Sequence, residues 1–224
     1  MIDGIAAVLE AGPYLLWGAG ITMGTIAGAM FLGLILGVPL AVLQVYGNMP
    51  ARRLVGLYVW FFRGVPILVL LYLFYFGLAY QLGLDVSPFG ASCLVLGLVS
   101  GAYQSQIFRG GIMSLPVGQM KAGMALGMTR LSIVRHIILP QALRLSIPGW
   151  SNEYSILLKD SALVSVVGTL ELMSRTKAIA TSSQRFMTFY LAAALLYFII
   201  TFIGVRALRF LEKRTHVPGW AAPL

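Results

Sequence analysis

The sequence predicts an all-α membrane protein of about five transmembrane helices, with the N-terminus outside and the C-terminus cytoplasmic. Three observations carry the membrane reading. Of 224 residues 59% are hydrophobic and 10% charged, with a mean hydropathy of +0.88, which lies outside the range of soluble domains. The apolar residues gather in five runs, each near the ~20 residues that cross a hydrocarbon core. Lys and Arg divide unequally between the connections, which sets orientation. A chain this apolar reads as one membrane domain over 1–224, where length alone would admit two soluble ones.

The first run, 15–45, is longer than a bilayer needs and carries Gly18, Gly20, Gly24, Gly28, Gly33 and Gly37. Small residues at such intervals let helices approach closely in lipid, although glycine is common in membrane helices anyway. Pro50, Arg52 and Arg53 end the run. A short interfacial stretch at 54–62 offers Tyr58 and Trp60 as headgroup anchors. The second run begins near Pro66, expected as the first helical residue, and ends by Leu82. Asp85, Val86, Ser87 and Pro88 form a tight turn before the third run, 91–108. The fourth lies within 147–167, and a polar link over 169–185 leads to the fifth, 186–205. The tail from Arg206 is basic and then broken by Pro and Gly, so its end is expected to be poorly ordered.

The connections assigned to one side hold twelve Lys and Arg residues, from Arg52 through Arg144 and then in the tail, against Arg175, Lys177 and Arg185 on the other. That asymmetry places the loop at 116–144 in the cytoplasm. The net charge of +9 is therefore an orientation signal, reinforced by anionic membrane lipid. Nucleic acid is excluded as a partner, because the charges are dispersed over separate loops. Residues 1–12 carry Asp3 and Glu10 and no Lys or Arg, the reverse of a cleavable signal peptide. Cys93 stands alone in an apolar run, and His136 and His216 have no partner at metal-ligand spacing. No internal repeat marks the commonest secondary-carrier folds.

The loop itself is unusual. Residues 119–144 read QMKAGMALGMTRLSIVRHIILPQALR, with Met120, Met124, Leu131, Val134 and Ile138 at helical spacing and Lys121, Arg130, Arg135 and Arg144 keeping it wet. Gly127 followed by Thr129 reads as a helix stop and then an N-cap. Two short amphipathic helices suit a docking element; a plain loop lying on headgroups is the other reading.

Ionisable residues inside a bilayer are costly and are functional candidates by default. The fourth run carries Glu153, Lys159 and Asp160. Glu153 and Asp160 are seven residues apart, so they share a helix face about 10 Å apart along the axis. Asn152, Ser161 and Ser165 add hydrogen-bonding groups nearby. A zwitterionic ligand could set its ammonium against one carboxylate; alternatively, the cluster neutralises itself and serves assembly. Gly64 before Pro66 offers unpaired backbone N–H groups at a helix start, which can take a carboxylate. The alternative is that Pro66 merely starts the run while Arg63 contacts headgroups.

Several of these strings occur together in one family. IILPQALR at 137–144 with ALG at 125–127, FRGVP at 62–66, AY at 102–103, IFRGG at 107–111, and NE at 152–153 through LLKDS at 157–161 follow its order. The chain resembles the polar-amino-acid permeases of ABC importers over roughly 15–210, including their EAA loop. The resemblance implies a type I importer permease in a bacterial inner membrane. Its coupling loop would sit in a groove of a separate ATP-binding subunit through Lys121, Ala122, Gly123, Gly127 and Pro140. It also implies a second permease chain, the same or paralogous, and an extracytoplasmic substrate-binding protein. Substrate would meet Asn152, Glu153, Asp160, Ser161 and Gly64. Four positions depart from the family. Lys121-Ala122-Gly123 replaces Glu-Ala-Ala, with Gly123 weakening the helix by about 1 kcal/mol; Val65 replaces a Thr and Gln106 a Glu.

No Walker A pattern occurs in the sequence, so the chain is expected to be no enzyme and to bind no cofactor, with ATP used by the partner subunit. Two rivals remain at this point: an ion-coupled carrier working alone, and a membrane scaffold whose loop recruits a cytosolic partner.

Overall fold

The computed structural model describes residues 2–79 and 81–215. Helix α1 (Ile2–Glu10) leads into α2 (Gly12–Tyr46), whose 35 residues make it about 52 Å long, well beyond a hydrocarbon core. Asn48 stops the run by capping α3 (Met49–Gly64), its side chain accepting from the Ala51 N–H, while Arg52 donates back to the Val45 carbonyl at 2.7 Å. The 54–62 stretch thus belongs to a full helix. Trp60 is exposed as an interfacial anchor should be, but Tyr58 is not an anchor: its hydroxyl donates to the Leu98 carbonyl at 2.6 Å.

Helix α4 (Ile67–Tyr72) continues as π-helical turns over Leu73–Ala79. Pro66 precedes the helix as its N-cap with ψ 137, so the first helical residue is Ile67 and not Pro66. The segment Ile67–Leu78 leaves α3 at 105°. Ser87 caps α5 (Pro88–Ser114), accepting from the Gly90 N–H at 3.1 Å. Three short helices follow: α6 (Gly118–Ala125), α7 (Arg130–Ile133) and α8 (Leu139–Leu145), with π-helical turns at Val134–Ile138. Helix α9 (Ile147–Asp160) passes into a 3-10 stretch, Ser161–Val167, ending at Gly168 with φ +90. Helix α10 (Leu172–Ser183) precedes α11 (Phe186–Arg214), which extends nine residues past the expected end of its span. His216 and the end of the tail lie outside the described residues.

Among the described residues, α2, α5 and α11 are each long and apolar enough to cross a membrane, and the bent pair of α3 and Ile67–Leu78 can count as a fourth crossing. The 147–167 run is different. It is a 14-residue helix plus a 3-10 stretch, and Glu153, Lys159 and Asp160 dilute its hydropathy. It is held by protein contact, with Leu157, Leu158 and Val164 buried against Ile26, Leu70, Leu71 and Leu96 of α2, α4 and α5. The face of α11 bearing Leu191, Leu195, Phe198 and Phe202 is exposed, as a lipid-facing surface would be.

A second core packs the loop onto the bundle: Ile133, Val134 and Ile138 meet Ala41, Phe108 and Ile112. A third joins Leu15 and Ala19 of α2 to Leu172 of α10 and Phe189 of α11.

Candidate functional site

Glu153 lies where α2, α5 and α9 converge. It is 3% exposed and accepts a hydrogen bond from Ser100 Oγ at 2.9 Å. Ser100 accepts in turn from Gln104 Nε2 at 3.0 Å, which also donates to the Met30 carbonyl at 3.1 Å. Gln104 Oε1 accepts from Trp150 Nε1 at 2.9 Å. The buried amide is thus engaged at both ends, which fixes Ser100 beneath the carboxylate. Gly33 makes the network possible, because a Cβ there would collide with the Gln104 amide nitrogen and Ser100 Oγ. A carboxylate offers roughly four acceptor positions, and Ser100 uses one.

The structure gathers some of the sequence-predicted substrate residues and separates others. Asp160 ends the same helix, half-buried, two turns from Glu153. Ser161 is fully buried and donates to the Leu158 carbonyl at 2.7 Å, so its proton is already used. Asn152 is exposed and turned about 100° from Glu153, opening on a different cleft shared with α11. Gly64 is exposed at the end of α3, beside Arg63, whose guanidinium lies 4.8 Å from the Tyr103 ring centroid. Gln106, where the resembled family has Glu, donates to Gln44 Oε1 at 2.8 Å and accepts from Arg109 at 3.3 Å. A carboxylate there could only accept, so Gln44 would have to turn its amide and donate instead.

In the loop, Gly127 has φ +78 and turns the chain between α6 and α7, and Thr129 Oγ1 accepts from the Ser132 N–H at 3.3 Å. Gln119 and Gln141 exchange two hydrogen bonds, 2.9 and 3.1 Å, tying α6 to α8. Pro140 is exposed near the start of α8. It lacks an N–H and its ring crowds the carbonyl four residues back, which accounts for the π-helical turns before it. Gly123 is buried, and a Cβ there would stand 2.7 Å from the Ile133 side chain. The glycine that weakens α6 as a helix therefore lets it seat on α7. Lys121 and Ala122 are exposed on the same helix.

The expected apolar stripe is split. Val134 and Ile138 are buried and Met120 half-buried, but Met124 and Leu131 point outward. Periodicity does not run through the turn at Gly127, so the stripe becomes two faces. The outward one carries Leu131, 75% exposed, and Leu126, 81% exposed, beside Lys121 and Arg130.

Residues 13–217 match the model of the family described as binding-protein-dependent transport system inner membrane component. This chain belongs to that family. The permease is 37% identical over 215 residues to the octopine transport system permease protein OccQ of Rhizobium meliloti, covering 91% of each chain. It is 36% identical over 203 residues to the arginine ABC transporter permease protein ArtQ of Haemophilus influenzae, covering 86% of this chain and 89% of that one. A solved amino acid ABC transporter with histidines superposes with a TM-score of 0.83 at 31% identity, over 93% of the permease and 97% of that chain. The inward-facing methionine transporter MetNI, at 21% identity and a TM-score of 0.75 over 91% and 96%, shows the type I fold alone. The permease is an inner-membrane subunit of an amino-acid ABC importer, and the ATPase is a separate subunit. That decides against the lone carrier and the scaffold. Permeases of this family work with an ATPase and a substrate-binding protein.

One functional-looking group escaped sequence reasoning altogether. Glu171, in the polar link, is 0% exposed and caps α10, accepting from the Met173 and Ser174 N–H groups at 2.8 and 2.7 Å. It also accepts from Tyr197 Oη at 2.8 Å and Thr22 Oγ1 at 3.4 Å. Burial pushes its carboxyl above the ordinary range, and these hydrogen bonds pull the other way. The available signal was an acid directly before a helical segment, the N-cap position. Ser100 and Gln104 were also missed; two polar residues four apart in an apolar run were their signal.

Proposed function

We propose that the permease imports polar amino acids, pairing with a second permease chain so that α9 of each lines the path. Glu153 meets the ligand ammonium, and Asp160 and Ser161 lie further along the route. The observation that carries this reading is the Glu153 carboxylate, buried in the bundle yet engaged by the Ser100 hydroxyl. The names of the relatives, octopine and arginine, agree with a polar amino-acid cargo. The N-terminus lies outside, where a binding protein delivers substrate. The loop at 116–144 lies in the cytoplasm, where Lys121, Ala122, Gly123, Gly127 and Pro140 present or shape the face that engages the ATPase. ATP is used by that subunit, and no cofactor on this chain is needed.

The test is reconstitution with the ATPase and binding protein. Amino-acid uptake should require ATP, and a panel of amino acids should show which stimulate hydrolysis. Gly127→Val, forced to φ +78, costs about 1–2 kcal/mol locally. It should insert and assemble but lose substrate-stimulated hydrolysis. Uptake without ATP, or normal coupling in that variant, would overturn the reading.

A further inference from the structure

We propose that the cleft between the cytoplasmic ends of α9 and α11 is a second amino-acid site, which senses the transported product and slows import; its cytoplasmic placement rests on the orientation proposed above. The cleft has a volume of about 260 Å³ and is lined by Ser151, Asn152 and Ser155 of α9 and by Val205, Arg209 and Glu212 of α11. Arg209 and Glu212 are one turn apart, roughly 4.5 Å along the axis, and carry opposite charges. Among the described residues, no hydrogen bond or ion pair joins their side chains.

That pair is the complement of an α-amino acid. A guanidinium takes a carboxylate through two parallel hydrogen bonds, and a carboxylate takes the ammonium a few ångströms away. Asn152 and the serine hydroxyls remain for a polar side chain. A purely anionic ligand such as a lipid phosphate would be repelled by Glu212, and a purely cationic one by Arg209, so the lining selects a zwitterion.

The placement supplies the consequence. Just beyond the cleft the two helices touch, with Gly204 packed against the Tyr154 ring and Tyr154 Oη donating to the Ile200 carbonyl at 3.2 Å. A ligand bridging Asn152 and Arg209 clamps α11 to the helix that carries Glu153. Rising product then holds α9 in one position and slows the cycle.

The experiment uses the assembled complex in vesicles, in a Cys93→Ala background with Val205→Cys, at the cleft wall and outside the proposed polar contacts, as the probe. Free L-arginine or L-glutamine on the cytoplasmic side should slow alkylation of that thiol, whereas N-acetyl-L-arginine, which lacks the ammonium, should not. Arg209→Gln or Glu212→Gln should raise the half-protecting concentration about tenfold or more, the loss expected for one charge-assisted contact. Glu153→Gln should leave protection intact. Without the cysteine probe, preloaded amino acid should slow ATP-driven uptake in the parent permease and not in Arg209→Gln, while uptake into empty vesicles is the same in both. Protection by neither amino acid, equal protection by the N-acetyl compound, or loss of protection in Glu153→Gln would overturn the proposal. A complex that shows protection but no uptake would instead fault the import reading.

Discussion

Glu153 and Glu171 are the same residue type at nearly the same burial, 3% and 0% exposed, and their surroundings are opposite. Around Glu171 the fold supplies four donors from α2, α10 and α11, two of them backbone N–H groups that would otherwise be unpaired at a helix start. The carboxylate is consumed by structure. Around Glu153 the fold supplies the Ser100 hydroxyl, itself held by Gln104, and leaves acceptor positions open. Burial alone does not separate a structural acid from a ligand-binding one. On the proposed reading of Glu153, the count of donors the fold itself provides does.

The comparison can be broken most forcefully at Glu171. Glu171→Gln sets an amide NH2 against backbone N–H donors and leaves at least one of them unpaired in the interior, which costs several kcal/mol. Assembled complex should be scarce, and what assembles should melt earlier in detergent; unchanged yield and melting would remove the structural half of the contrast. Tyr197→Phe takes away one donor to that carboxylate, and a hydrogen bond to a charged group contributes about 1.5–3 kcal/mol. Its melting temperature should fall, by less than that of Glu171→Gln. Ser100→Ala sharpens the other side. If the Glu153 region is open to water or ligand, solvent replaces the lost hydroxyl and the cost is about 1 kcal/mol or less. Thermal denaturation should rank it as the mildest of the three, and a larger loss than Tyr197→Phe would mean that Glu153 is sealed in as firmly as Glu171.

The elements were legible because hydropathy and charge act locally: an apolar run between basic loops reads the same in sequence as in the bundle. Glu153 and Asp160 were legible for the same reason, as ions in an apolar run. Glu171 was not, because charges in a polar link are ordinary and its burial comes from Thr22 and Tyr197, 149 and 26 residues away. Asn152 was grouped with Glu153 by adjacency, yet one residue turns a helix by about 100° and sends it to another cleft. Tyr58 read as an interfacial anchor by residue type, and only tertiary packing brings the Leu98 carbonyl to its hydroxyl. The Gly123 departure looked like a weakness until Ile133 was seen beneath it. In each case the missing information was which side of an element meets which distant neighbour.

The central claim is that the Glu153 carboxylate is reserved for ligand. Its most direct test is the amino-acid affinity of the purified, assembled Glu153→Gln complex, measured by substrate-stimulated ATP hydrolysis. The amide keeps size and hydrogen bonding but removes the charge that holds the ammonium, a contact contributing roughly 1.5–3 kcal/mol. Apparent affinity should therefore weaken about ten- to hundredfold, with assembly and melting unchanged. A well-assembled Glu153→Gln permease with unaltered affinity would contradict the account and move the ligand site elsewhere in the bundle.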